Sequence, residues 1–341
     1  MKDARSVVIV DMGTGYLKCG PRQLRRPKIL PACFQTDAGR EGSSTLLTLD
    51  PGRSAWRFPL ENGTIPAEAD ALIPLCEEVL RQFPQESANR KNLELMLLVF
   101  PFVGPERAAS LCAELQEALG CLHVETAIQQ VLIWGYWGME TSLVIDLGYS
   151  ASFVTPIYRG FLLDDVATPV VTGSFFVSAA LRRLLQTAAE EASAPQSELY
   201  AQLAEDAEAV DYIKANLCHV LPSPDEALAV PVTQPRYRCG SVEVGLGDIP
   251  WEATEILFQP SLLEVNEKGL VEVVADVLSR VDSTVRTELA ANILLAGGGS
   301  GFPGLKLRVE ADLSRRLPHL AIKVFSLENP IYSAWLGAAG T

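Results

Sequence analysis

In the segment SVVIVDMGTGYLKCG, Ser6 to Gly20, an apolar run ends in an aspartate, two glycines follow, and a lysine comes seven positions after the aspartate. A carboxylate, a flexible turn and an ammonium at that spacing suit the holding of a polyphosphate. Glycine brings backbone N–H groups close to a ligand, and successive N–H groups make a concavity for phosphate oxygens. Asp11 can hold Mg²⁺, usually through water. Lys18 can lean toward the β- and γ-phosphates as a point charge, and Thr14 adds a hydroxyl donor. One D-x-G is weak, because Asp and Gly are common in any hairpin turn. The pattern returns, however, in SLVIDLGYSASFVTPIYRG, Ser142 to Gly160, with Asp146 and Gly148 in the places of Asp11 and Gly13. Two such hairpins, facing each other, would clamp a polyphosphate with Mg²⁺ between Asp11 and Asp146.

A third glycine cluster, NILLAGGGSGFPG, Asn292 to Gly304, follows an apolar strand and precedes a segment of helical period. Backbone N–H groups and a helix N-terminus favour an anionic ligand there. It is not a P-loop, since no GxxxxGK[ST] follows, and the acidic residue that a dinucleotide-binding GxGxxG would need about 20 residues on, at a second strand end, is unconvincing.

These loops need strands and helices to hold them. The runs VVIV, LMLLVF, SLVID and NILLAG have strand length and alternate with longer helical segments, which predicts an α/β fold with buried, largely parallel strands. Ala108, Leu111, Cys112, Leu115 and Leu119 recur at helical spacing, with Pro105 suited to the first turn. Leu305, Val309, Leu313 and Leu317 repeat the pattern. Residues 174–216 read as a mostly helical insertion. Residues 39–63 mix Gly, Ser, Thr and Pro with the short strand candidates LLTL and WRF, which suggests a small β element and a mobile loop.

Composition excludes several functions. The chain of 341 residues is 48% hydrophobic and carries a formal net charge of -14, so a large core is affordable and a nucleic-acid or anionic-membrane surface is disfavoured. The seven cysteines and three histidines form neither a zinc pattern nor a disulfide framework, which fits a reducing cytoplasm. The apolar runs are too short or too interrupted for export or membrane insertion.

With these motifs in this order, the chain resembles actin and the actin-related proteins. VVIVDMGTGYLKCG and LVIDLGYSASFVTPIYRG resemble the two phosphate loops of that family, and LLAGGGSGFPG its adenosine motif. RRPKILPACFQTDAGR, FPLENGTI, TAIQQVL, DYIKANLCHV, EILFQPSLL and IYSAWLGAA also match in order, from Val7 to Ala339. The resemblance implies an actin-like ATPase fold: two lobes, each on a duplicated mixed sheet with flanking helices, and nucleotide in the cleft between them. It implies a first lobe over 1–135, with a shortened small subdomain at 39–63. The second lobe would cover 136–341, with a helical insertion at 174–258 and a C-terminal segment, 325–341, packing back on the first lobe.

By the same resemblance, ATP or ADP with Mg²⁺ would be held by Asp11, Gly13, Thr14, Gly15, Tyr16, Leu17, Lys18, Gly148 and Tyr149, with Gly173 at the cleft floor. Lys214, Gly297, Gly298, Gly299 and Phe302 would line the adenosine. Gln129 would position the attacking water and Asp146 would serve catalysis; Gln129 and Gln130 also read as polar positions on a helix. The chain departs from the family at Tyr149, where a second aspartate is usual, and at Phe153, where a histidine helps orient water. Ile331 replaces the base-side lysine and Ala215 the acidic residue at the ribose. The first functional expectation is a cytoplasmic, cytoskeletal ATPase that polymerises with itself into filaments. The alternative is a non-polymerising, nucleotide-stabilised scaffold subunit, and a small-molecule kinase is disfavoured because no catalytic-base aspartate is placed for it. Actin's long subunit-docking loop is largely missing from 39–63, and actin continues with more helices after YSAWLGAA, so conventional filament contacts are not carried over.

Overall fold

The computed structural model describes residues 5–32, 34–36, 44–45, 56–57, 69–100, 103–150, 152–222 and 235–340. Strands β1 (Ser6–Met12), β2 (Tyr16–Pro21) and β3 (Lys28–Pro31) form an antiparallel meander. The short strands β4 (Phe34–Thr36), β5 (Ser44–Thr45) and β6 (Trp56–Arg57) pair among themselves. LLTL and most of 39–63 lie outside the described residues. Strands β7 (Leu93–Val99) and β8 (His123–Ile128) then add in parallel to β1, giving a sheet in the order β3-β2-β1-β7-β8.

The second sheet repeats this plan. Strands β9 (Ser142–Leu147), β10 (Ser152–Tyr158) and β11 (Phe161–Leu162) form the meander, with β12 (Thr168–Val170) beside β10. After the hairpin β13 (Arg236–Cys239) and β14 (Val242–Gly245), strands β15 (Ile293–Ala296) and β16 (Val324–Ser326) complete the order β11-β10-β9-β15-β16. The two sheets therefore share one topology, a hairpin meander followed by two parallel strands. This is the duplication that the paired D-x-G segments foretold.

Alternation along each strand decides which residues meet the cleft. Val8, Val10 and Met12 of β1 face a core with helices Ile73–Gln82 and Pro105–Leu119. Leu143, Ile145 and Leu147 of β9 face the second core, with helices Ser174–Glu191 and Leu270–Ser279. The opposite faces, Ile9, Met96 and Leu98 in one sheet and Val144, Ile157 and Leu294 in the other, join a third core built on Ile133, Ala334 and Trp335. Helices Gln129–Trp137 and Ser333–Gly340 pack together there, between the sheets. Asp11 and Asp146 continue this inter-sheet face at the ends of their strands, so strand period alone points both carboxylates between the lobes.

The expected helix at Pro105–Leu119 is present with Pro at its first turn, and Gly120 ends it in the left-handed conformation at φ 65°. Residues 174–216 form three helices, Ser174–Glu191, Gln196–Glu205 and Ala207–Asn216. The Asp206 side chain caps the last of these by accepting from the N–H groups of Glu208 and Ala209, which satisfies two of the donors a helix start leaves unpaired. Among the described residues no helix is long and apolar enough to cross a membrane.

Candidate nucleotide site in the interlobe cleft

A cavity of about 340 Å³ lies between the sheets, a size in the usual range for small-molecule sites of ~300–1,000 Å³. Asp11, Gly13, Thr14, Gly15, Tyr16 and Lys18 line it from the first hairpin; Asp146, Gly148 and Tyr149 line it from the second. Gly297, Gly298, Gly301 and Phe302 close a third side, with Lys214 and Ile331 beside them. The structure thus brings together most of the residues singled out from the sequence.

Three expected positions stand apart from the cavity wall. Leu17 lies opposite Met12 in the β1–β2 ladder, and its side chain is fully buried in the first-lobe core. Tyr16 and Lys18 flank it on the other face, so strand alternation leaves Leu17 only its backbone to offer a ligand. Gly173 and Gly299 sit behind the second hairpin, where an added Cβ would fall 2.3 Å from Tyr149 O and 3.0 Å from Leu147 O respectively. They hold that loop in place.

At the cleft floor, Lys18 Nζ meets Asp11 Oδ2 at 2.8 Å, across the ladder pair that Asp11 and Lys18 form. Gln129 Nε2 donates to Asp11 Oδ1 at 2.8 Å and to Leu98 O at 3.1 Å. The adjacent Gln130 donates to Asp146 Oδ2 at 2.9 Å. Neighbouring glutamines at the start of the helix between the sheets therefore reach one carboxylate in each lobe. Gln129 uses its Nε2 on Asp11 and Leu98 O, a tie that the water-positioning role implied by the resemblance did not include.

The electrostatics are those of a site prepared for cations. Burial raises the Asp11 pKa above the usual carboxylate value, and Lys18 partly offsets this. Burial, and then the Asp11 charge, lift Asp146 from 3.8 to about 6, against the lowering effects of Lys18 and the Gln130 hydrogen bond. Two buried, mutually repelling carboxylates at the mouth of glycine turns form an oxygen donor set that Mg²⁺ suits, since that ion is usually held by one or two carboxylates plus water and substrate phosphates. Asp11 and Asp146 fit the group on that chemistry.

Tyr149 and Phe153 take up space as well as replacing polar groups. A Cβ on Gly15 would come within 2.5 Å of Tyr149 Cγ, so the ring lies directly on the first loop. Ser150 N donates to Thr14 Oγ1 at 3.0 Å, a second tie between the hairpins. Lys214 Nζ sits 5.3 Å over the Tyr149 ring and bonds Ser178 Oγ and Asp211 Oδ1 at 2.9 and 2.8 Å. Phe153 is cross-strand partner to Asp146 and stacks at 4.9 Å on Phe100, which lines the cavity. The floor beside the carboxylates is apolar as a result.

The glycine-rich segment Gly297–Gly304 is held from behind. Gly297, at φ 79°, takes a conformation that favours glycine, and a Cβ there would lie 2.4 Å from Asp146 Oδ1. The helix after the motif, Leu305–Arg316, is anchored by buried Arg308, which bonds both Glu255 oxygens, Asp312 and Leu221 O. Tyr149 as a filler of the Gly15 space and Arg308 were not singled out from the sequence, and Gln130 was read only as a polar position on a helix; the doubled glutamine in TAIQQVL was the one visible signal among them.

The family model described as Actin matches residues 2–340. The chain belongs to the actin family. Among curated relatives, actin-like protein 7A of Macaca fascicularis and of Homo sapiens are each 27% identical over 360 aligned residues, covering 99% of this chain and 78% of the relative. The protein of the same name from Rattus norvegicus is 26% identical over the same length. With the two-lobed α/β architecture, this makes the chain an actin-related protein.

Proposed function

We propose that this actin-related protein binds a nucleoside triphosphate with Mg²⁺ in the interlobe cleft and uses it chiefly to fasten the lobes together. The observation that carries the reading is the convergence of both D-x-G hairpins, Lys18 and the Gly297–Phe302 segment on one cavity. In this reading the hairpin N–H groups and Lys18 hold the phosphates, Asp146 and Asp11 hold the cation, and Gly298, Gly301, Phe302 and Lys214 hold the nucleoside. Mg²⁺ supplies charge neutralisation of the phosphates when bound.

Hydrolysis is the slower part of this reading. Phe153 and Phe100 place an apolar pair beside Asp146, and the donor end of the Gln129 amide, Nε2, is committed to Asp11 and Leu98 O. Loss of a water-orienting group typically lowers rates by ~10²–10⁴. The same observations favour a cytoplasmic, nucleotide-stabilised scaffold subunit over a filament-forming ATPase. Single-turnover phosphate release, paired with ATP-dependent pelleting, is the test: bound nucleotide that persists for hours, without a pellet, is the expected result. Rapid release coupled to pelleting would return the filament reading.

A further inference from the structure

Gln130 is fully buried behind Asp146, and the carboxylate it meets fixes the sense of its amide. An ionised carboxylate only accepts, so the group facing Asp146 Oδ2 at 2.9 Å is Nε2. The other end, Oε1, is buried with no hydrogen-bond partner among the described residues. A buried amide oxygen left unpaired is unfavourable, so packing alone would favour an apolar residue here. What the glutamine provides is the bond to Asp146.

The carboxylate oxygens are then unequally placed. Asp11 Oδ1 accepts from Gln129 and Asp11 Oδ2 pairs with Lys18. Asp146 Oδ2 accepts from Gln130. Asp146 Oδ1 is the remaining oxygen, and the Gly297 backbone packs so close to it that a Cβ there would lie 2.4 Å away. Gln130 on one side and Gly297 on the other leave the carboxylate little freedom to rotate.

We propose that Gln130 is a positioning residue that, by holding Oδ2, fixes the orientation in which Asp146 would meet the divalent cation of a bound Mg-nucleotide. Asp146 is thereby the cation's principal protein anchor, with Asp11 engaged by Lys18 and Gln129. This rests on the nucleotide reading above. Outer partners that orient a metal-binding carboxylate typically account for ~10–100-fold in metal affinity.

The test uses the full chain and Gln130→Met, which keeps side-chain length and removes the amide. A fluorescent ATP analogue is titrated once in Mg²⁺ and once in EDTA. The expected result is a loss of about 10-fold or more in the affinity gained from Mg²⁺, with affinity in EDTA within twofold of wild type. In an Asp146→Asn background the Gln130→Met change should then cost nothing further. Equal losses in Mg²⁺ and EDTA would assign Gln130 a structural role and overturn the proposal, as would an unchanged Mg²⁺ increment. If wild type binds no nucleotide in either condition, the nucleotide reading fails and Mn²⁺ titration of the free protein, followed by electron paramagnetic resonance, decides the Gln130 role separately. Mn²⁺ bound by wild type and lost in Gln130→Met would uphold it; no Mn²⁺ binding by wild type would overturn it.

Discussion

Replacing Asp146 with Asn should stabilise the free protein while removing its response to Mg²⁺. The carboxyl of Asp146 is lifted from 3.8 to about 6 by burial and by the Asp11 charge. The folded chain therefore keeps a proton that the unfolded chain releases near its ordinary value. Between those two values the folded state binds more protons, so stability falls as pH rises through the window. At 1.36 kcal/mol per pKa unit, the cost of the charged group is on the order of 1–2 kcal/mol at pH 5 and 2–4 kcal/mol at pH 7. Asn carries no charge and still offers Gln130 an acceptor, so its advantage over Asp should grow by ~1–2 kcal/mol between these pH values. Urea unfolding in EDTA without nucleotide, at pH 5, 6 and 7, reads the difference directly. With Mg-ATP added the order should reverse, because binding to the folded state stabilises only the chain that holds the cation. An Asn variant that is less stable than wild type at pH 7, or whose advantage does not change with pH, would refute the electrostatic reasoning.

Gly15→Ala should lower the melting temperature, since its Cβ would lie 2.5 Å from Tyr149 Cγ and 2.8 Å from Tyr149 Cβ and overpacking typically costs ~1–3 kcal/mol; Tyr149→Gly in the same chain, which removes both atoms, should restore part of the loss. Arg308→Ala leaves Glu255 buried and unpaired and should cost ~3–5 kcal/mol in chemical denaturation, whereas Leu307→Ala, at an exposed neighbour, should cost under ~0.5 kcal/mol. Phe153→His breaks the apolar pair with Phe100 and should raise single-turnover phosphate release by at least ~10-fold; an unchanged rate would mean that the aromatic floor does not limit hydrolysis.

The fold was legible where the signal was continuous. The runs that became β1, β7, β9 and β15 are buried on both faces and so read as unbroken apolar stretches. The two D-x-G turns announced the duplicated sheet because each needs a strand to end in a carboxylate. Side-chain direction was less accessible through resemblance: Leu17 was carried over with its motif, yet strand alternation turns it into the core. Tyr149 read as a lost carboxylate, when its ring fills the space above Gly15. The role of Gln130 depends on where the second lobe places Asp146, and adjacent helix positions diverge by about 100°, so no periodicity in the first lobe could reveal it.

Calorimetric titration of the full chain with Mg-ATP reads directly whether the cleft holds a magnesium nucleotide. One site per chain is expected, with affinity reduced at least ~10-fold in Lys18→Met, because that change removes the ammonium and leaves Asp11 facing the phosphates. No binding heat and no thermal stabilisation of wild type by Mg-ATP would contradict the account, as would equal affinity in wild type and Lys18→Met.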